Sequence, residues 1–227
     1  MMDFTNIQNI VTPKGEVAMI NRGDEILWQK QTSRLPSEYQ EVEYIESTGT
    51  QWIDTGFIAK STMPSIKMKF RSTQYKSYYI GVHNNGSRVA GITKSAVNTV
   101  AVVGYDRGTT SVEVNQDAEW NEVFIDRKSK TVTADGVTVS MNGSFDWYNP
   151  NQVEVPLFGQ KVAHTNVVKC SKVSIAYCEL YDDDMTLFRN FIPCYRKSDG
   201  EAGMYDLVTG AFFTNSGSGE FLVGGDV

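Results

Sequence analysis

The sequence contains 227 residues, of which 41% are hydrophobic and 21% are charged, and its formal net charge at pH 7 is −6. This composition supports one large domain with a packed core and is inconsistent with a chain that is disordered throughout. The acidic balance argues against nucleic acid or an anionic membrane surface as a partner, since both attract basic proteins. No apolar stretch approaches the roughly 20 residues that span a bilayer, so we expect no membrane insertion.

The first residues carry no recognisable secretory signal. Met1–Asn6 has neither a basic start nor an apolar segment behind it, so we expect a protein made in a cytoplasm and retained there at least at first. Residues 15–28 then predict one hairpin, formed by two short apolar strands around an Asn-Arg-Gly-Asp turn. A lone hairpin is marginally stable in water, so this one is expected to pack on the main domain, on a second copy or on another protein.

A boundary is predicted directly after this hairpin. Residues 29–34 are polar, and Pro36 interrupts regular structure. We therefore divide the chain into a docking segment, residues 1–34, and a domain, residues 35–227. The apolar side chains expected to dock the segment are Val17, Met19, Ile26 and Trp28.

The domain reads as a series of short strands. Ser65–Arg71 places Ile66, Met68 and Phe70 on one face and basic side chains on the other, the period-2 pattern of a half-buried strand. Similar runs predict strands at 122–126, 131–133, 136–139, 153–159 and 172–181. Asp135-Gly136 and other Asn-Gly or Asp-Gly pairs suit tight hairpin turns, whose central residues need positive φ. Because no window of 12 or more residues shows a helical period, we predict an all-β, antiparallel two-sheet sandwich.

The three cysteines, Cys170, Cys178 and Cys194, show no CxxC or Cys/His ligand spacing. The preferred interpretation is buried, reduced thiols on core strands. One disulfide, or one exposed thiol, stays open as an alternative.

Two blocks of the domain resemble a known module. They are residues 35–57, which begin Leu-Pro-Ser-Glu-Tyr, and residues 191–219, which begin Phe-Ile-Pro-Cys-Tyr. Both are similar to modules of phage and prophage structural proteins from gut bacteria, within the concanavalin A-like (laminin-G-like) jelly-roll superfamily. The Leu-Trp-Gln step at 27–29 resembles the end of the N-terminal piece of phage tail and fibre proteins. The resemblance implies a jelly-roll topology, neighbouring termini and a place in the virion.

This resemblance gives the functional hypotheses. The first is a non-enzymatic virion protein of a head fibre, tail fibre or decoration, whose lectin-like domain attaches to host-surface or mucosal glycans while the docking segment binds other virion proteins. The second is a purely structural accessory protein that binds no sugar, and the third and weakest is a glycoside hydrolase. A homo-oligomer is expected, a trimer by resemblance, because multivalency raises weak sugar affinity.

Carbohydrate binding needs aromatic faces beside hydrogen-bonding groups. The loop at 144–151 offers both, and two other segments offer weaker versions. An inward-folded loop with its own small core is the alternative for each. The predicted ligand-binding residues are Asp146, Trp147, Tyr148, Asn149, Tyr105, Asp106, His83 and Asn84.

No catalytic residue is predicted. The Glu-x-Asp-x-x-Glu strand pattern of related glycosidases is absent, and the nearest row, Glu113, Asp117 and Glu119, is interpreted as a solvated strand face. Neither His83 nor His164 lies in a nucleophile-elbow context.

No cofactor is predicted, with calcium as the alternative. Asp182, Asp183 and Asp184 form a compact acidic run, and related jelly rolls hold calcium at sheet-edge loops. Calcium takes six to eight oxygens from several segments, and three adjacent aspartates cannot all converge on one ion. Asp182 and Asp184 are therefore weak metal candidates, and a polar turn is the preferred interpretation.

Overall fold

The structure is a computed structural model that describes residues 10–12, 15–17, 19–22, 25–29, 34–58, 63–84, 88–103, 109–114, 119–142, 154–162 and 167–227. Every regular element within these ranges is a β-strand. A search of the same ranges found no helix with the length and apolar character needed to cross a membrane.

The described part of residues 1–34 contains two small antiparallel pairs. β1 (Ile10–Thr12) pairs with β2 (Gly15–Val17), and β3 (Met19–Arg22) pairs with β4 (Glu25–Gln29). The predicted hairpin is therefore present but shorter than expected, since Gly15–Val17 belongs to the pair before it. Within the described ranges, neither pair is hydrogen-bonded into a larger sheet.

The remaining strands follow in chain order and form two large sheets. They are β5 (Tyr39–Glu41), β6 (Ile45–Thr48), β7 (Ile53–Ile58), β8 (Ser65–Arg71), β9 (Tyr78–Asn84), β10 (Arg88–Ala96), β11 (Thr99–Val103), β12 (Thr109–Glu113), β13 (Asn121–Asp126), β14 (Thr131–Ala134), β15 (Val137–Ser140), β16 (Glu154–Leu157), β17 (Gly159–Val162), β18 (Val167–Cys170), β19 (Lys172–Tyr181), β20 (Leu187–Arg196), β21 (Ala202–Asp206), β22 (Ala211–Thr214) and β23 (Leu222–Val223).

The first sheet has 11 strands, and its main path is β15-β14-β13-β8-β19-β20-β21-β22. β5 pairs with β20, while β6 pairs with both β19 and β23. The second sheet has 8 strands in the path β12-β11-β10-β9-β16-β7, with β17 attached through β9 and β18 through β17. All of these pairings are antiparallel except that of β17 with β9.

The main core lies between the two sheets. Ile66, Met68 and Phe70 of β8 are fully buried there, as their alternation predicted. Ile80 and Leu157 of the second sheet belong to the same apolar cluster. Because one cluster draws side chains from both sheets, the sheets face each other, and the predicted all-β, two-sheet organisation is confirmed.

The chain reverses at Phe158, where the sequence predicted an uninterrupted strand over 153–159. Leu157 pairs with Ile80 in the antiparallel sense, and Gly159 pairs with the same residue in the parallel sense. Phe158 makes this reversal with a φ of 64°, in the left-handed region that costs a side-chain-bearing residue free energy. Its ring is fully buried and lies 4.8 Å from that of Phe221, centroid to centroid. The strand prediction was therefore wrong at this point.

A second, smaller apolar cluster covers the outer face of the first sheet. Tyr205 belongs to it, whereas the neighbouring Met204 points into the main core. Leu35 and Tyr39, the first residues of the domain, pack onto this outer cluster together with Ile192, Cys194, Leu207 and Phe212. The start of the domain is thereby fixed against its C-terminal strands.

The three cysteines are free thiols in the structure. Cys178 lies in the main core and Cys194 in the outer cluster, while Cys170 is half-buried. Burial raises the pKa of the Cys194 thiol to about 12 and raises the pKa of the other two thiols as well. Buried, protonated thiols are poor nucleophiles, in line with the preferred interpretation.

The two ends of residues 35–227 lie side by side. Tyr39 pairs with Arg196 at the end of β20. The backbone N–H of Val227 donates to the carbonyl of Glu41 over 3.1 Å. The neighbouring Gln40 donates through Nε2 to the Val227 carbonyl over 3.3 Å. Residues 39–41 therefore lie next to residue 227.

Candidate functional site

Most of the predicted ligand-binding residues lie outside the described residues. This holds for Tyr105 and Asp106 and for the loop residues Asp146, Trp147, Tyr148 and Asn149. His83 lies in β9 with a half-buried side chain, and Asn84 ends the same strand. These assignments stay predictions.

The carboxylate row considered for hydrolysis is divided between the sheets. Glu113 is exposed at the end of β12 in the second sheet, whereas Glu119 precedes β13 in the first. Asp117 and His164 lie outside the described residues. The two described carboxylates therefore do not share one strand.

The acidic run forms the turn between β19 and β20. Oδ1 of Asp182 accepts hydrogen bonds from the backbone N–H groups of Asp184, at 3.0 Å, and Thr186, at 2.9 Å. This is the turn-forming use of an aspartate side chain. In the part of the chain that the structure describes, no group of three or more His, Cys, Asp or Glu residues is arranged to hold a metal ion.

A cavity of about 400 Å³ opens beside this turn, and we call it the end cavity. It lies where β7, β13 and β19 end and where β8 and β20 begin, so separate strand ends converge on one end of the two-sheet body. Its lining consists of Phe57, Pro64, Arg127, Asp182, Asp183, Asp184 and Phe188. A volume of this size lies within the range of about 300–1,000 Å³ that is typical of small-molecule sites.

Two aromatic rings form the floor of the end cavity. The centroids of Phe57 and Phe188 are 5.0 Å apart, and the ring planes are tilted by 42°. Both side chains are half-buried and pack on the main core. The floor is thus a fixed apolar surface with ring area left exposed.

The backbone beneath this floor is anchored to a buried carboxylate. Arg189 donates to the carbonyls of Phe188, at 3.0 Å, and Thr55, at 3.3 Å. Its Nε lies 3.6 Å from Oδ2 of Asp206, whose side chain is fully buried. Asp206 also accepts the backbone N–H of Asn190 at 2.8 Å and the hydroxyl of Thr209 at 2.6 Å. These bonds hold the start of β20 in place under the cavity.

The rim of the end cavity is charged. Arg127 pairs with Asp183 over 2.5 Å, and the exposed fractions of the two side chains are 15% and 72%. The backbone N–H of Arg127 donates to the hydroxyl of Ser65 over 3.1 Å, which fixes the arginine at the cavity edge. Asp184 is exposed. The lining therefore combines ring faces with carboxylate acceptors and one guanidinium donor.

The sequence did not single out Phe57, Phe188 or Arg127. Each lies at the end of a strand, and the segments that carry them are separated along the chain by more than half its length. The pairing of β8 with both β13 and β19 brings Arg127 beside the turn at 182–184, whereas Phe57 reaches Phe188 from β7 of the second sheet. The Asp182–Asp184 run was the one part of the site that the sequence singled out, and it was interpreted there as a polar turn with metal binding as the weaker alternative.

A second feature lies on the face of the first sheet that points away from the main core. We call it the outer ladder, and its aromatic members are Tyr44, Trp120, Phe124, Tyr177 and Tyr181. The Arg71 guanidinium lies 4.4 Å from the ring centroid of Tyr44 and 4.9 Å from that of Trp120. Phe124 and Tyr181 are 6.0 Å apart, centroid to centroid. Such cross-strand pairs stabilise a sheet.

The polar groups of the outer ladder bond to one another. The Tyr177 hydroxyl donates to Glu122, which also lies 3.6 Å from Nζ of Lys67. The Tyr181 hydroxyl donates to Glu179 over 2.5 Å. Burial and these carboxylates raise the pKa of both phenols. These hydroxyl and carboxylate groups of the outer ladder therefore already bond to one another. Fewer of its polar groups are open to a ligand than in the end cavity.

A comparison with protein-family models found none that matches the chain, and a comparison with curated proteins found no matching sequence. The assignment of a function therefore depends on the geometry of the end cavity and of the fold that carries it.

Proposed function

We propose that the chain is a phage virion structural protein that displays a concanavalin A-like jelly-roll domain, and that the end cavity binds host-surface or mucosal glycans. The resemblance of residues 35–57 and 191–219 supports the phage assignment. The two packed sheets and the adjoining ends of residues 35–227 are compatible with it. The proposal includes docking to other virion proteins through residues 1–34 and assembly into a homo-oligomer, for which a trimer is our choice.

The position of the end cavity relative to the docking segment carries the proposal. Phe188 lines the cavity at the start of β20, and Arg196 at the other end of β20 pairs with Tyr39. At about 3.3 Å per residue, these two positions of β20 are about 26 Å apart. A domain held to a particle through residue 34 would thus present its cavity at the far end. Adhesion modules need a ligand site displayed in this way.

The chemistry of the lining fits a sugar. The apolar face of a sugar ring packs on an aromatic ring such as Phe188, while carboxylate oxygens accept hydrogen bonds from its hydroxyl groups. A single open site of this kind binds weakly. Several copies on one oligomer would raise the apparent affinity, since the second contact becomes intramolecular.

A glycan array probed with the full oligomeric chain tests the proposal. We expect binding to a subset of glycans, and we expect Phe188→Leu to weaken it at least tenfold, because leucine keeps the core contact but removes the flat ring. Phe124→Leu in the outer ladder is the matched control and should leave binding unchanged. Calcium and EDTA should give the same array, because the Asp182 carboxylate already serves the turn.

The loop prediction from the sequence is tested on the same array. If Trp147→Ala abolishes binding and Phe188→Leu does not, the glycan site belongs to the loop at 144–151 and not to the end cavity. If the oligomer binds no glycan, the sugar-binding function is wrong.

The outer ladder favours a second candidate function, that of a structural accessory protein which binds other virion proteins and no sugar. Aromatic side chains and arginine are enriched at protein–protein interfaces, and the Arg71 guanidinium packs against both Tyr44 and Trp120 here. On this alternative, Trp120→Ala would lower incorporation into particles. Phe188→Leu would have no effect on incorporation.

A further inference from the structure

We propose that the end cavity selects neutral or amine-bearing sugars and discriminates against acidic ones. This inference rests on the proposed glycan-binding function and specifies the ligand class of the same site. It comes from the charges around the aromatic floor and from the way they are already paired.

The rim carries more negative than positive groups. Three aspartates and one arginine line the end cavity. The guanidinium of Arg127 is engaged by Asp183 at 2.5 Å and is mostly buried. Asp184 makes no ion pair within the described part of the chain. A ligand that enters the cavity therefore meets carboxylates before it meets an available cation.

The cation beneath the floor does not change this balance. The Arg189 guanidinium lies 6.0 Å from the ring centroid of Phe188, but it does not line the cavity. It is paired with the buried Asp206 and bonded to two backbone carbonyls. The charge of Arg189 is therefore already paired, and its hydrogen bonds help to fix the position of β20.

Two effects would weaken the binding of an acidic sugar at this site. Its carboxylate would lie close to like charges in a partly water-excluded space, where repulsion is stronger than in bulk water. To gain the Arg127 guanidinium, it would have to displace Asp183. Neither effect applies to a neutral sugar. The ammonium group of an amino sugar is in addition attracted by the exposed carboxylate of Asp184. Discrimination of this kind, by repulsion as well as attraction, is a common route to specificity.

Three sugars on one linker test the inference with the full chain: glucose, glucosamine and glucuronic acid, or the corresponding galactose set if the array favours galactosides. We expect glucuronic acid to bind at least tenfold more weakly than glucose, and glucosamine to bind at least as well as glucose. The advantage of the amine should shrink at high salt, because salt screens exposed charges.

Two isosteric variants separate the charges. Asp184→Asn should remove the preference for the amine, so that glucosamine and glucose bind with equal affinity. Asp183→Asn should release Arg127 and raise the affinity for glucuronic acid severalfold. Glu220→Gln is the matched control, since it removes the same formal charge from an exposed residue beyond the opposite end of β7. It should change none of the three affinities.

The outcomes distinguish this inference from the function on which it rests. If the acidic sugar binds as well as the neutral one and Phe188→Leu still weakens binding at least tenfold, the glycan site stands and the selectivity is wrong. If no sugar binds to the oligomer, the glycan function itself is wrong and the selectivity falls with it. If Glu220→Gln shifts the preference as much as Asp184→Asn does, net charge and not the rim sets the selectivity, which also contradicts the inference.

Discussion

At the scale of single residues, Glu154 and Lys161 form an ion pair across the reversal between β16 and β17. The Lys161 side chain is 8% exposed and that of Glu154 is 34% exposed. Nζ of Lys161 also lies 6.0 Å from the ring centroid of Trp52. The hydrogen bond from Lys161 lowers the pKa of Glu154 below its ordinary value of 4.5. The pair is therefore a pH-dependent contribution to stability.

The sign of this contribution follows from the lowered pKa. The folded state holds the Glu154 carboxylate ionised more readily than the unfolded state does, so the stabilisation is present above about pH 4.5 and is lost as the pH falls through the folded pKa. Glu154→Gln should lower the free energy of unfolding at pH 7 by about 1–3 kcal/mol, because the buried ammonium loses its charged partner. The difference between variant and wild type should shrink below about pH 4.

Urea denaturation at a series of pH values measures this difference. The double variant Glu154→Gln with Lys161→Met is the control, because it removes the buried ammonium as well and should recover part of the loss. A difference that stays constant down to pH 2 would show that the ion pair does not contribute.

At the scale of elements, the single-residue reversal at Phe158 gives the second sheet its one parallel pairing among the described strands. The backbone of Phe158 is tied on both sides: its N–H donates to the Tyr79 carbonyl over 2.7 Å, and its carbonyl accepts from Ser171 over 2.8 Å. These bonds and the buried ring hold a conformation that phenylalanine rarely adopts. Backbone preference and ring burial therefore oppose each other at this residue.

Two substitutions separate those effects. Phe158→Ala removes the ring and should cost about 3–5 kcal/mol of unfolding free energy. Phe158→Gly removes the same ring but accepts positive φ without strain, so it should be more stable than the alanine variant by about 1 kcal/mol. Thermal or urea unfolding of both variants measures the order. The reverse order, which is usual in strands, would mean that the left-handed conformation is not kept.

The sequence predicts several of the strands correctly, but it does not predict the reversal at Phe158. The alternation in Ser65–Arg71 and the run over Lys172–Tyr181 were enough to place β8 and β19, and Asp135-Gly136 forms the expected turn with both φ values positive. Phe158 carries no turn chemistry, so nothing local predicts a reversal there. The hydrogen bonds that hold this reversal are made with β9 and with Ser171.

The end cavity was less accessible to prediction than the strands. A period-2 pattern tells which side chains share a face, but it does not tell which strand ends meet. Phe57, Arg127 and Phe188 come together through pairings between distant segments. The outer cluster was missed for a related reason: successive residues of β21 and β22 point to two clusters on opposite faces of the first sheet, and no sequence pattern shows that both faces are covered.

At the scale of the whole molecule, residues 35–39 are integral to the domain. Leu35 is 7% exposed and covers the outer cluster with Tyr39. Lys197 donates through Nζ to the Ser37 carbonyl over 2.9 Å and through its backbone N–H to that of Glu38 over 2.9 Å. Arg34 in turn forms an ion pair with Glu41. The described chain therefore contacts the domain from residue 34 onward, and the boundary near this residue stays a prediction.

Two truncations test this boundary and the docking proposal together. Deleting residues 1–33 should leave the melting temperature within a few degrees of that of the full chain, while the domain no longer attaches to particles. Deleting residues 1–39 should lower the melting temperature strongly, because Ile192, Cys194 and Tyr205 lose their cover. Retention of the shorter deletion on particles would contradict docking through residues 1–34.

The course of β20 from the end cavity to its pairing with Tyr39 has a mechanical consequence for the proposed attachment. A pull on a bound glycan, resisted at residue 34, would act along the length of this strand. The hydrogen bonds that join β20 to β19 and β21 are perpendicular to that direction. They would share the load in shear and would not open one after another, as they would if the sheet were peeled from its edge. Such a geometry would let the domain hold its ligand under flow.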